Sequence, residues 1–286
     1  MSYGNSGREE VTLKGSDGSE CTVNLNGATV TSWKNKGEEI LFCSEKAVLD
    51  GKKAIRGGIP IVFPNFGPWE LGPQHGFARI KQWKLTESVT QSGDDASSRV
   101  FILEDDEETR NMWNARFRLE YKVEIAEDSL LTSLKVYNKG DEAFSFTTLM
   151  HTYFRVDDIR KTGVKGLKGL KFEDKVHGGE HTEDREMVQI NENYDRIYKK
   201  CSGPVQLFPD VDKATSCRRL VTKNLNDTVV WNPWAEKAKA MSDFGDEEYH
   251  NMLCVEAGSV SEPVTLEAGK DMIFSQTIVV DKTSKM

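Results

Sequence analysis

The chain has 286 residues, of which 37% are hydrophobic and 29% charged, and its net charge is −8. That composition can build a core and excludes a disordered class, and an acidic surplus repels phosphate backbones and excludes general nucleic-acid binding. No apolar run approaches the roughly 18 residues that span a bilayer, and residues 1–10 carry no apolar leader segment, so neither a membrane span nor a secretory signal is expected.

In chain order, residues 21–27, 29–34 and 38–43 read as short strands, separated by turn compositions at 15–19 and 35–39. Residues 55–83 then concentrate Gly57, Gly58, Gly67, Gly72 and Gly76 with Pro60, Pro64, Pro68 and Pro73. So much Gly and Pro excludes a helix interior or a central strand. The stretch also carries Arg56, Gln74, His75 and Arg79, and loops that present fixed polar groups often serve function. It reads equally as a stiffened structural loop or as the wall of a binding site. Strands are expected at 82–90 and 98–104, with a turn at 91–97. The acidic run Glu104 to Glu108 reads as a solvated loop or turn.

Residues 117–125 give the clearest periodicity. Phe117, Leu119, Tyr121, Val123 and Ile125 alternate with charged residues, the two-residue repeat of a strand with one buried face. Leu130, Thr132, Leu134 and Val136 repeat it after a turn, and residues 143–156 form a long β-prone segment. Residues 160–185 are rich in Lys and Gly. Further strands are expected at 188–190, 195–200, 204–208, 218–224, 227–233, 254–258, 263–269 and 272–280. Only 235–244 and 245–252 look helical, as one short helix plus a turn. A succession of hairpins without βαβ alternation predicts an all-β protein. With no linker or composition break, residues 1–286 are expected to be one domain with its core at about 11–281. Two stacked antiparallel sheets, a β-sandwich, fit the uneven strand lengths better than a closed barrel.

Several motif matches fail. His177 to His181 matches H-x-x-E-H, but Gly178 and Gly179 in its centre argue against the helix that pattern needs. Asp243-Phe244-Gly245 has no other kinase element around it, and Gly163, Gly166 and Gly169 do not make a phosphate loop. Five scattered cysteines with no CxxC pair are expected to be reduced thiols in a cytoplasmic protein. Chemistry without metal or cofactor is the expectation that remains.

His151 ends a β-prone run, where a satisfied core histidine is the ordinary reading. Glu256 stands among Met252, Leu253, Cys254, Val255 and Ala257. A buried charge is costly unless paired, although a strand-end Glu facing water is an alternative. Asp195 between tyrosines is a weaker candidate. With Arg56, Gln74, His75 and Arg79 these form a coherent set. An imidazole titrates near neutrality, a half-buried carboxylate supplies the opposite acid or base, and arginines grip an anion. Phe66, Trp69 and Trp234 are candidates for stacking on a sugar.

The segments 55–67, 74–79, 149–154, 195–198 and 254–258, in this order and spacing, resemble the aldose 1-epimerase family over about Val11 to Val280. The paired arginine motifs around Arg56 and Arg79 are similar to its glucose-6-phosphate 1-epimerase branch. The resemblance implies a galactose-mutarotase-like supersandwich that interconverts the α and β anomers of a hexose 6-phosphate. It implies His151 as general acid toward the ring oxygen and Glu256 as general base toward the anomeric hydroxyl. It further implies Asp195 as a sugar-hydroxyl ligand, Arg56, Gln74 and Arg79 as substrate-binding residues, and His75 as a neighbour of the sugar. Ala257 departs from the Pro that many relatives place there. The partner expected is a small sugar phosphate, bound by a monomer. A non-catalytic phosphosugar-binding protein and a glycoside hydrolase using Asp195 and Glu256 are the competing readings.

Overall fold

In a computed structural model, which describes residues 9–86, 97–213 and 216–282, the two-residue periodicity is realised as a hairpin. Strand Phe117–Ala126 pairs with Ser129–Asn138, from Phe117↔Asn138 to Ala126↔Ser129. Phe117, Leu119, Tyr121, Val123, Ile125, Leu130, Thr132, Leu134 and Val136 are all essentially buried. Each large apolar side chain taken fully out of water stabilises the fold by about 1.5–3 kcal/mol. The expected turn at 91–97 and the end of the expected strand at 82–90 fall mostly at 87–96, outside the described residues, as do residues 1–8.

The described strands form three sheets of four, eight and nine strands, and their ladders are antiparallel. The nine-stranded sheet is centred on Asp271–Lys282 and the hairpin. The eight-stranded sheet runs through Lys171–Asp174, Tyr194–Tyr198, Asp227–Asn232, Met252–Leu266 and Phe144–Met150 to a short edge strand, Ile61–Val62. The two stack face to face. Phe146 meets Phe274 with ring centroids 5.7 Å apart, Thr132 Oγ1 donates to Met150 Sδ, and Gln276 Nε2 donates to Thr152 Oγ1. The result is the sandwich of a galactose-mutarotase-like fold. Among the described residues helices are few: Glu107–Met112, Trp234–Ala240 and three 3-10 turns. No helix among the described residues is long and apolar enough to cross a membrane.

Three local expectations are revised. The acidic run ends in a helix, because the Asp106 side chain accepts from Thr109 N while Thr109 Oγ1 accepts from Asp106 N, a capping box. Residues 254–258 and 263–266 belong to one strand, Met252–Leu266, and 267–269 lie beyond it in a turn. Pro263 is tolerated there because the pairing register shifts between Phe146 and Thr148, and a proline without an N–H fits an irregularity. In the segment 38–43 only Glu38–Glu39 pairs as a strand. His177 and His181 lie on a turn and in strand Glu180–Thr182, not on a helix.

Candidate active site

The eight-stranded sheet has one face in the main core and the other under the Gly/Pro-rich segment. Met252–Leu266 is therefore buried on both faces through Gly258. Its register with the segment from Thr148 to Tyr153 fixes the site. Thr148 pairs with Ser259, Met150 with Ala257 and Tyr153 with Cys254, so His151 falls opposite Glu256. On the other side Val229 pairs with Glu256, and Trp231 pairs with both Cys254 and Asp195. Residues two apart share a sheet face. His151, Tyr153, Glu256, Cys254, Val229, Trp231 and Asp195 thus share one face, though they come from distant parts of the chain.

The Gly/Pro segment forms the wall over that face. His151 N donates to Pro60 O and Tyr153 N to Gly58 O. On its other side Gly58 lies tight against the strand Thr29–Asn35: a Cβ there would sit 1.9 Å from Val30 O, and its φ is +66°. His75 also has a positive φ, 64°. Its Nδ1 accepts from Gly67 N at 3.1 Å, which leaves the Nε2 position to carry the proton of the neutral ring.

Between wall and sheet lies a cavity of about 420 Å³. Arg56, Gln74, His75, His151, Asp195 and Glu256 all line it, with Phe66, Lys175, Trp231 and Met241. Six of the seven residues singled out by sequence meet there. The seventh, Arg79, adjoins the cavity without lining it. Its Nη2 donates to Gln74 O at 2.9 Å, and its Nε is buried without a partner among the described residues. Burial pulls its guanidinium down to about 10, still charged at neutral pH. Of the three aromatic candidates only Phe66 lines the cavity. Trp69 packs on Phe77 and Trp234 on Tyr249. Trp231 and Tyr153 were missed, and the available signal was their spacing, two residues from Val229 and from His151. Size alone does not select this cavity. Another of about 420 Å³ is lined by Asp227 and Glu262, but Asp227 already accepts from Val260 N and Ser261 N.

At the cavity floor His151 Nδ1 lies 3.4 Å from Glu256 Oε2. Both atoms are buried and neither has a hydrogen-bond partner among the described residues. Native proteins rarely leave such atoms unpaired. Tyr153 stacks on the imidazole at 4.7 Å, and Trp231 meets it edge-on at 6.0 Å. Burial first, then the charges of His75, Arg79 and Arg56, holds His151 well below the usual histidine range. Burial, then Asp195, pushes Glu256 well above the usual carboxylate range. Both shifts favour a neutral imidazole beside a protonated carboxyl. Burial also raises the Asp195 carboxyl and lowers His75 to about 3.

His151, Cys254 and Glu256 each offer a ligand atom within 4.8 Å of one another. Burial, however, favours the protonated form of both the thiol and the carboxyl. A divalent cation would have to displace both protons beside two guanidiniums, so the trio suits a proton-transfer pair better than a metal.

The aldose 1-epimerase family model matches residues 9–278. A Cenchrus ciliaris protein named "Putative glucose-6-phosphate 1-epimerase" is 38% identical over 275 residues, 93% of this chain and 83% of its own. An Escherichia coli K12 protein of the same name is 32% identical over 263 residues, covering 90% and 86%. The crystal structure of a "putative mutarotase (YeaD)" from Salmonella typhimurium superposes with a TM-score of 0.84 at 29% identity, covering 93% of this chain and 88% of that one.

Proposed function

The chain belongs to the aldose 1-epimerase family, and from that premise we propose that it interconverts the α and β anomers of a hexose 6-phosphate, glucose 6-phosphate foremost. Family and fold support a sugar mutarotase in general. The observation that carries the acid–base reading is the pair of unpartnered buried atoms, His151 Nδ1 and Glu256 Oε2, 3.4 Å apart on the cavity floor. Opening an aldose ring needs one proton delivered to the ring oxygen and one removed from the anomeric hydroxyl. His151 is assigned the first transfer and Glu256 the second, and reclosure on the other face reverses both. The direction of both shifts favours the reverse of these roles, but the two forms hold the same number of protons. One proton moving from Glu256 to His151 converts one into the other. An arriving phosphate favours that shift, since its charge offsets Arg56 and Arg79, which depress His151.

Arg56 on the cavity lining and Arg79 beside it are assigned the phosphate, by charge-assisted bonds. Gln74, His75 and Asp195 are assigned the sugar hydroxyls, with Phe66 and Trp231 against its apolar face. The names of the Cenchrus ciliaris and Escherichia coli relatives support the phosphorylated substrate. The five free cysteines support a reducing, cytoplasmic setting.

Anomer-resolved exchange NMR on glucose 6-phosphate tests the reading. The wild-type chain should accelerate interconversion above the buffer rate. His151→Ala and Glu256→Gln should each lose about 10²- to 10⁴-fold in turnover, the usual worth of a general acid or base. Undiminished exchange in both variants would rule the mechanism out. Binding without acceleration in the wild type would favour a non-catalytic phosphosugar-binding protein.

A further inference from the structure

The triplet Asp243-Phe244-Gly245 found no use in the sequence, yet each member has a place here. Phe244 is fully buried and packs on Phe42 with ring centroids 5.7 Å apart. Gly245 N donates to Glu248 Oε2 at 2.7 Å, and a Cβ on Gly245 would strike Glu248 Cγ at 2.7 Å. The same Glu248 accepts from Ser44 Oγ and Glu45 N. Ser44 N in turn donates to Arg56 O. The loop after the helix Trp234–Ala240 and the backbone of Arg56 are therefore fastened to one another.

That fastening brings Asp243 to Arg56. Arg56 Nε lies 3.3 Å from each Asp243 carboxylate oxygen, and Arg56 Nη1 donates to the Tyr153 hydroxyl at 3.3 Å. A guanidinium has five N–H groups. Asp243 and Tyr153 occupy one on Nε and one on Nη1, which leaves the second Nη1 hydrogen and both Nη2 hydrogens for an anion. Arg56 lines the cavity, and Met241, two residues before Asp243, lines it as well.

We propose that Asp243 is a positioning residue, which holds Arg56 with its terminal nitrogens free for the phosphate and so makes the site select phosphorylated over unphosphorylated hexoses. The proposal rests on the assignment of Arg56 to the phosphate. An unrestrained arginine spreads over many rotamers, and fixing it before the ligand arrives removes that ordering cost from binding. The carboxylate also offsets part of the arginine's charge, so the opposite outcome is physically well defined: a competitor for Arg56 would weaken phosphate binding when present.

The test compares the full-length chain with Asp243→Ala and Asp243→Asn. The ratio of kcat/KM for glucose 6-phosphate to that for glucose should fall about tenfold in Asp243→Ala, through KM rather than kcat. It should fall less in Asp243→Asn, whose amide oxygen still accepts from Nε. Asp243→Ala should add no further loss in an Arg56→Ala background. Calorimetry with inorganic phosphate reads the same effect without turnover, as a Kd about tenfold weaker in Asp243→Ala and about threefold weaker in Asp243→Asn. A wild-type chain that does not speed anomerisation would sink the catalytic reading and leave this binding result standing. Phosphate affinity unchanged or tighter in Asp243→Asn would overturn the proposal and make Asp243 a plain staple or a competitor.

Discussion

Glu256 shows how one residue can be costly to the fold and necessary to the site. It holds its proton more tightly folded than unfolded, because burial raises its pKa well above the usual range. The unfolded chain therefore ionises first, and stability falls as pH rises from the ordinary carboxylate range toward the raised folded value. Glu256→Gln keeps the shape and cannot ionise. It should melt above wild type at pH 8 and close to it at pH 4, by about 2–4 °C for each kcal/mol recovered. Equal melting temperatures at pH 8 would contradict the burial argument. His75 works in the other direction. It stays neutral down to about 3, whereas its unfolded counterpart titrates near 6.5, so its contribution is present above pH 6.5 and is lost as pH falls between those values. Glu256 was legible in the sequence because an acid inside an apolar run contradicts ordinary burial. Trp231, Tyr153 and Asp243 were not, because an aromatic in a strand and an Asp in a loop contradict nothing.

At the scale of elements, strands with one wet face were the most legible, since water imposes their alternation. The strand Met252–Leu266 was read as two because it is buried on both faces in its first half and carries Pro263 in its second, which erases the period. The helix Glu107–Met112 was missed because it is short and its capping box ends in Thr109 where Glu or Gln is usual. The Gly/Pro segment reads equally as a stiffened loop or a site wall in the sequence, and its glycines can be tested in the fold. Gly76 has φ +72°, and a Cβ there would lie 2.2 Å from Phe63 O. That oxygen cannot move freely, because Phe77 N and Ala78 N both donate to it. Gly76→Ala should destabilise the chain by more than the roughly 1–2 kcal/mol that a left-handed conformation costs an L residue. Urea denaturation reads this as a lower midpoint at unchanged slope, and an unchanged midpoint would show that the wall adjusts without cost.

At the scale of the whole molecule, one buried cluster includes Leu13, Cys21, Val23 and Trp33 of the four-stranded sheet. It continues through Phe146, Met150 and Val255 of the eight-stranded sheet to Phe117, Leu134 and Phe274 of the nine-stranded one. A core shared in this way should melt as one unit, giving a single calorimetric transition whose enthalpy matches its van't Hoff value. Two resolved transitions would instead divide the chain into separately folding parts. By itself the sequence determined the all-β class, the place of its regular hairpin, the irregular backbone of residues 55–83 and the candidacy of Glu256. These follow from local rules: alternation against water, the backbone limits of Gly and Pro, and the cost of an acid among apolar residues. Only the tertiary structure decided that His151 stands opposite Glu256, that Arg79 adjoins the cavity without lining it, and that Asp243 reaches Arg56. Each of those contacts joins residues far apart in the chain through strand register or loop packing, and no local pattern of residues encodes a distance across a sheet.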